Sequence, residues 1–147
     1  MILNTCSSAI SLARELENKA ADFYENLSQR YARGADIFLS FAKENRKSIT
    51  RTEMVYHGVI SDALEGCFAF NLNPDDYKFE NGLSDKSNYA DVIEQAIEIE
   101  GKVTKFYSDA AEQSDTLLAD IPAAFTLIVK KRASRIETLR VLCQSPD

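Results

Sequence analysis

Apolar residues recur at three- and four-residue spacing in four segments of the chain, which is the period of an amphipathic α-helix. The pattern predicts helices over about residues 5–30, 35–65, 88–113 and 122–143. Short links join the first helix to the second and the third to the fourth, so each pair is expected to form an antiparallel hairpin. The crossover between the hairpins, about residues 66–87, contains Asn-Pro and Asn-Gly elements that interrupt a helix. The chain is therefore predicted to be a single all-α domain over residues 1–147, a bundle of two hairpins with a long crossover.

The two halves of the chain repeat the same helix pattern. Residues 10–29 align with residues 93–112, and the alignment matches Glu17 with Glu100 and Tyr24 with Tyr107. Both glutamates fall within the apolar stripe of their helix. A buried glutamate costs several kcal/mol unless it is paired or bound, so both carboxylates must be neutralised by a partner.

The residues around these glutamates resemble a known family. Glu17, Ala20, Phe23 and Tyr24 form an E-x-x-A-x-x-F-Y pattern, which the third helix repeats from Glu100 with valine in place of alanine. This pattern resembles the first and third helices of the rubrerythrins, which belong to the ferritin-like superfamily. The resemblance covers nearly the whole chain, and it implies a ferritin-like four-helix bundle. In that family the two glutamates ligate iron, and the second and fourth helices each supply a Glu-x-x-His motif to a di-iron centre.

The chain departs from the family pattern at the Glu-x-x-His positions. The second helix carries Asn45 and Ser48 there, and the fourth helix carries Arg132 and Arg135. Neither asparagine nor serine is a competent iron ligand alone. Arginine has no lone pair to donate and stays charged at any ordinary pH. The resemblance therefore implies a degenerate metal site, and no bound metal, cofactor or catalytic residue is expected.

Charge accounting suggests what replaces the metal. Two arginines balance two glutamates, and the fork of a guanidinium matches the two oxygens of a carboxylate. We expect Arg132 and Arg135 to pair with the two glutamates, with the remaining polar groups completing the network. The predicted core polar cluster comprises Glu17, Tyr24, Asn45, Ser48, Glu100, Tyr107, Arg132 and Arg135.

Other interpretations of these residues are open at this point. If the helix register is off by one position, the arginines extend to solvent and the glutamates lie at the edge of the core. Alternatively, one of the carboxylates Glu44, Glu53, Glu98 or Glu137 rebuilds a metal site. Glu53 and His57, the only histidine, also have the i, i+4 spacing of a metal-binding pair, although a single pair on one helix is a weak signal.

Composition limits the class of protein further. The chain has 147 residues with a formal net charge of -6, and its basic residues form no stripe, so nucleic acid is not an expected partner. Cys6, Cys67 and Cys143 are widely spaced without a C-x-x-C motif, which argues against a disulfide framework and a thiolate metal site. No run of about 18 apolar residues is present to span a membrane. The N-terminal residues lack a signal-peptide pattern, so we expect a cytoplasmic protein.

Three functions are compatible with this pattern. The favoured one is a metal-free ferritin-like protein that acts in binding, assembly or regulation. The second is an oxidoreductase or iron-handling protein with iron at a non-standard centre, reacting with peroxide, oxygen or ferrous ion. The third uses the arginine pair as a clamp on a small carboxylate or phosphate. A homodimer is expected by analogy with ferritin-like bundles.

Overall fold

The computed structural model describes residues 2–59, 70–83, 88–114 and 120–144. Within these ranges the fold is four α-helices of 25 residues each and a short 3-10 helix, with no β-strand beyond one isolated bridge. This confirms the all-α prediction. The helices are α1 (Cys6–Arg30), α2 (Ala35–Val59), α3 (Tyr89–Gln113) and α4 (Asp120–Gln144), and the 3-10 helix is Pro74–Tyr77.

The helix ends follow local capping chemistry. The hydroxyl of Thr5 caps α1 by accepting a hydrogen bond from the backbone N–H of Ser8, and Asn88 and Asp91 form a reciprocal capping box at the start of α3. α4 begins two residues earlier than predicted, so Pro122 occupies its third position, where a missing N–H leaves no bond unmade. The predicted end of the second helix, residues 60–65, lies outside the described residues.

A tight turn joins α1 to α2. Gly34 has a φ of 81°, the left-handed region that glycine adopts without steric cost. A Cβ at this position would approach the hydroxyl of Tyr89 to 2.9 Å and the ring of Phe38 to 3.1 Å. Because the turn requires both this backbone conformation and this close approach, a larger residue at position 34 would strain the hairpin.

The helices pack as two hairpins, α1 with α2 and α3 with α4, while α2 also contacts α4 and α1 contacts α3. Glu17 accepts a hydrogen bond from Tyr107, and Glu100 accepts one from Tyr24. Since each tyrosine follows its own helix's glutamate by seven residues, this crosswise pairing requires α1 and α3 to run antiparallel. α1 and α4 therefore point one way along the bundle, and α2 and α3 point the other way.

The described part of the crossover packs across the bundle. Leu3 and Leu72 exchange two backbone hydrogen bonds of 2.7 and 3.0 Å, which tie the crossover to the residues just before α1. Further along, the hydroxyl of Tyr77 donates to Asp109 on α3 at 2.7 Å. The buried side chains of this segment are Phe70, Leu72, Tyr77 and Phe79. The predicted crossover residues 66–69 and 84–87 lie outside the described residues.

The bundle core is apolar except for a group of polar side chains. Among the described helices, none is long and apolar enough to cross a lipid bilayer, because each combines a buried stripe with a charged outer face. The polar and charged residues that are buried are Glu17, Asn45, Ser48, Thr52, Glu100, Ser114, Arg132 and Arg135. Five of these eight belong to the cluster described next.

Candidate functional site

All four helices contribute to one buried polar cluster. Glu17 comes from α1, Asn45 from α2, Glu100 from α3, and Arg132 and Arg135 from α4. The two glutamates and the asparagine have no solvent exposure, and the two arginines are 2% and 4% exposed. The side chains reach this position because each lies in the apolar stripe of its helix, where the backbone directs it toward the other three helices.

Arg132 lies between the two carboxylates. Its Nη2 donates to Oε1 of Glu17 and its Nη1 donates to Oε1 of Glu100 at 3.3 Å, so one guanidinium forms ion pairs with both glutamates. Nη2 also donates to Oδ1 of Asn45 at 2.5 Å. Its planar fork thereby links α4 to the other three helices in a single layer.

Arg135 completes the layer on the side of α2. Its Nη1 donates to Oδ1 of Asn45 at 2.6 Å and to Oε2 of Glu100 at 3.3 Å. Its Nη2 donates to the backbone carbonyl of Phe41 at 3.2 Å, and the guanidinium lies 4.7 Å from the centre of the Phe41 ring. Sequence reasoning missed Phe41, although its position one turn before Asn45 on the same face of α2 is a signal that could have indicated this contact.

Two tyrosines complete the hydrogen bonding of the carboxylates. Tyr24 donates its hydroxyl to Oε2 of Glu100 at 2.7 Å, and Tyr107 donates to Oε2 of Glu17 at 2.8 Å. Burial and the neighbouring glutamate raise the pKa of each tyrosine well above its usual value. Both hydroxyls therefore remain protonated donors over the ordinary pH range.

The cluster balances two positive against two negative charges, but burial affects its members unequally. Burial raises the pKa of Glu17, while the Arg132 guanidinium and the Tyr107 hydroxyl act to lower it. Burial also acts to lower the pKa of Arg132, but the carboxylates of Glu100 and Glu17 outweigh it and raise that pKa above its usual value. Arg132 therefore keeps its positive charge in the cluster, whereas burial opposes the negative charge of Glu17.

The cluster has more hydrogen-bond donors than acceptors. Asn45 Nδ2 and Arg132 Nε are buried and have no hydrogen-bond partner. Ser48 is buried one turn after Asn45, but within the described residues its hydroxyl makes no hydrogen bond to the cluster. Seven of the eight residues predicted for the cluster are thus linked by hydrogen bonds, and Ser48 is only adjacent to them.

The residues present do not fit the di-iron centre that the family resemblance implies. All four carboxylate oxygens of Glu17 and Glu100 already accept hydrogen bonds from Arg132, Arg135 or a tyrosine. Arg132 places a permanent positive charge between the two carboxylates, which repels a metal cation, and the groups left without partners are N–H donors, which cannot ligate a metal. Nowhere in the described ranges do three or more His, Cys, Asp or Glu side chains form a group that could hold a metal ion.

The alternative interpretations find no support in the geometry. Arg132 and Arg135 are buried, which excludes the register in which they extend to solvent. Glu53 forms an ion pair with Arg14 on α1, and His57 is exposed. The other carboxylates considered for a metal site lie outside the buried cluster and are Glu44, Glu98 and Glu137.

The cysteines do not join the cluster. Cys6 is buried at the start of α1 and Cys143 is half-buried near the end of α4, and neither takes part in a disulfide within the described ranges. Cys67 lies outside the described residues.

The chain matches no protein-family model, no curated protein and no solved structure. What the protein does must therefore be inferred from the geometry of the cluster and from the residue pattern that carries the resemblance.

Replacing Tyr107 with phenylalanine tests whether the hydroxyls support the carboxylates. We expect the free energy of unfolding to fall by about 1.5 to 3 kcal/mol, the range for hydrogen bonds to charged groups, because Glu17 loses a donor that water cannot replace. Urea unfolding followed by circular dichroism measures the change. Tyr77→Phe is the matched control, because Tyr77 donates to a carboxylate whose side chain is 33% exposed and can be hydrated, and its cost should be smaller. Equal costs for the two variants would contradict a special role for the buried pair.

Proposed function

We propose that this chain is a ferritin-like protein of the rubrerythrin type in which a cluster of arginines and glutamates has replaced the di-iron site. The protein then acts as a metal-free scaffold in binding, assembly or regulation. One observation carries this proposal: the guanidinium of Arg132 lies between Glu17 and Glu100 and forms ion pairs with both. A permanent cation supplied by the chain takes the electrostatic role that a metal ion has in the family.

The arrangement of the helices supports the ferritin-like assignment. Two antiparallel hairpins joined by one long connection are typical of that superfamily. The reciprocal hydrogen bonds of Tyr24 and Tyr107 also join the two copies of the E-x-x-A-x-x-F-Y pattern to each other. The internal repeat therefore has a structural counterpart in the core.

The same geometry argues against catalysis and against an anion clamp. The cluster residues are at most 4% exposed, so a substrate could reach them only if the bundle opened. Both guanidiniums already contact carboxylate, amide or carbonyl oxygens, and the charges are balanced two against two. A clamp for a small anion would need a cation that the protein leaves unpaired.

Metal content tests the proposal directly. After production in iron-rich medium and gentle purification, we expect well under one iron, manganese or zinc ion per chain by mass spectrometry of the digested protein. We also expect no peroxide reduction or ferrous-ion oxidation above background, because the ligand set lacks imidazoles and unengaged carboxylates. A rubrerythrin purified in parallel is the positive control. Two metal ions per chain that survive mild chelation would overturn the proposal.

A further inference from the structure

A groove runs along the outer surface between α2 and α4. The part between the two helices has a volume of about 490 Å³ and is lined by Arg51, Met54 and Gly58 of α2 and by Ala123 and Leu127 of α4, among others. Three of the residues that line this part are small, Gly58, Ala123 and Ala124, and a Cβ added at Gly58 would meet open space. We call this feature, together with its continuation along α2, the α2 groove.

The continuation is a hollow of about 640 Å³ lined by α2 residues, which shares Arg51 and Met54 with the part between the helices and extends past Lys47 to Lys43. These residues recur at i, i+4, i+8 and i+11, so they form one stripe on the helix. Between Lys43 and Gly58 the helix rises about 22 Å at 1.5 Å per residue. The α2 groove is therefore about as long as a four-turn helix.

The α2 groove is positively charged in a chain whose net charge is -6. Lys43, Lys47 and Arg51 form no ion pair in the part of the chain that the structure describes, and Nη1 of Arg51 is buried without a hydrogen-bond partner. Arg46 also lines the α2 groove but, by contrast, is paired with Glu25 at 2.5 Å. The sequence predicted no stripe of basic residues, but the structure brings Lys43, Lys47 and Arg51 together on one face of α2, and three cations there favour an anionic partner.

Exposed apolar side chains lie beside these cations. Met54 is 68% exposed and Leu127 is 41% exposed, although both belong to helices with well-buried inner faces. Exposed apolar side chains beside small residues and cations are the features of a surface that receives an amphipathic helix. Methionine is common on such surfaces because its flexible side chain adapts to different partners.

We propose that the α2 groove binds an amphipathic helix of a partner protein whose polar face carries aspartate or glutamate. One carboxylate pairs with Arg51, others lie near Lys43 and Lys47, and the apolar face packs on Met54 and Leu127. This inference rests on the proposed role of the chain as a metal-free binding scaffold. It adds the chemical class of the partner and the surface that recognises it.

Charge favours this occupant over three others. A second copy placed symmetrically would bring the same cations face to face. A membrane or a nucleic acid is an extended polyanion that meets the field of the whole acidic chain, and this field repels it. A single acidic helix is short enough to contact the α2 groove without contacting the rest of the acidic chain.

A displayed library of 15-residue helical peptides, with a fixed leucine stripe and randomised polar positions, tests the proposal on the full-length protein. We expect selection to enrich aspartate and glutamate, and the recovered peptides to bind more weakly as the salt concentration rises. Arg51→Gln should weaken binding by about tenfold or more, because the partner's carboxylate loses its main donor. Arg140→Gln, an exposed arginine on α4 that does not line the groove, is the matched control and should have no effect.

Met54→Lys separates specific docking from general attraction. It adds a positive charge and removes an apolar anchor, so it should weaken a docked helix but strengthen a purely electrostatic contact. Enrichment without acidic residues, equal losses for Arg51→Gln and Arg140→Gln, or tighter binding by Met54→Lys would overturn the proposal. A dimer detected by sedimentation that Arg51→Gln dissociates would also overturn it. The same holds if the protein binds phosphatidylserine vesicles or duplex DNA instead of the peptides and Arg51→Gln weakens that binding. None of these variants touches the buried cluster, so the metal measurement tests the proposed function separately.

Discussion

Replacing Arg132 with leucine should lower the free energy of unfolding by about 3 to 5 kcal/mol, the cost of breaking a buried ion pair by removing one partner. The loss is this large because Glu17 and Glu100 share this guanidinium and have no solvent exposure. A typical domain is stable by about 5 to 15 kcal/mol, so a substantial part of the total would be lost. Urea unfolding at neutral pH measures the change. Arg46→Leu is the control, because Arg46 is paired but 47% exposed, and its cost should be about 1 kcal/mol or less.

The loss in Arg132→Leu should also depend on pH in a defined direction. Burial already raises the pKa of Glu17 in the native protein, and removing Arg132 takes away the largest influence that lowers it. The folded variant then binds more protons than the unfolded chain between the unfolded and folded pKa values of Glu17. Stability therefore falls as pH rises through that window, and the window extends to higher pH in the variant than in the native protein. Unfolding curves from pH 5 to 8 should show the variant losing more stability per pH unit than the native protein.

A double-mutant cycle assigns the effect to the pair itself. Replacing Glu17 and Arg132 together with leucine removes one negative and one positive charge, so no net charge is added to the core. The double variant should lose less stability than the sum of the two single variants, with an interaction free energy of about 0.5 to 3 kcal/mol. Near-neutral, additive single changes would show that the pair does not stabilise the fold, and the main physical argument against a metal site would be lost.

The four helices were predictable because each carries an apolar stripe over some six turns. A stripe of this length shows the helical period of 3.6 residues however the helices pack against one another. The start of α4 was predicted only approximately, at about Pro122, because proline is tolerated at several positions of the first turn, none of which requires its N–H. The backbone pairing of Leu3 with Leu72 was not predictable. Two hydrogen-bonded residues far apart in sequence leave no side-chain period to detect.

The composition of the cluster was predictable to the same extent as the helices. A glutamate at the matching position of the apolar stripe in both repeats strongly indicates a buried ion pair. A buried carboxylate requires a partner, and the fourth helix supplies two arginines. The spacing fixes the face of a helix from which a side chain leaves, but not the atoms that its end reaches. Only the structure therefore shows that the two arginines make different contacts. Arg132 bridges both carboxylates, and Arg135 turns toward Asn45 and Phe41.

Introducing the metal ligands of the rubrerythrins at the matching positions should convert the cluster into a metal site. The substitutions Asn45→Glu, Ser48→His, Arg132→Glu and Arg135→His rebuild a Glu-x-x-His motif on α2 and on α4, facing Glu17 and Glu100. We expect this variant to bind about two metal ions per chain, since four carboxylates and two imidazoles suit a di-iron centre. Metal analysis after purification from iron-rich medium gives the count, and the native protein should stay well under one ion per chain.

The same variant should fold only with metal, because it buries four carboxylates without a cation among them. Chelation should unfold the variant and leave the native protein unchanged, and added metal should restore stability in proportion to the logarithm of its free concentration. The pair Arg132→Met with Arg135→Leu is the matched control, because it removes both cations but adds no ligand and should bind no metal. A folded four-substitution variant that stays metal-free would show that α2 and α4 do not present these positions as the rubrerythrins do, and the ferritin-like assignment would fail at its most specific point.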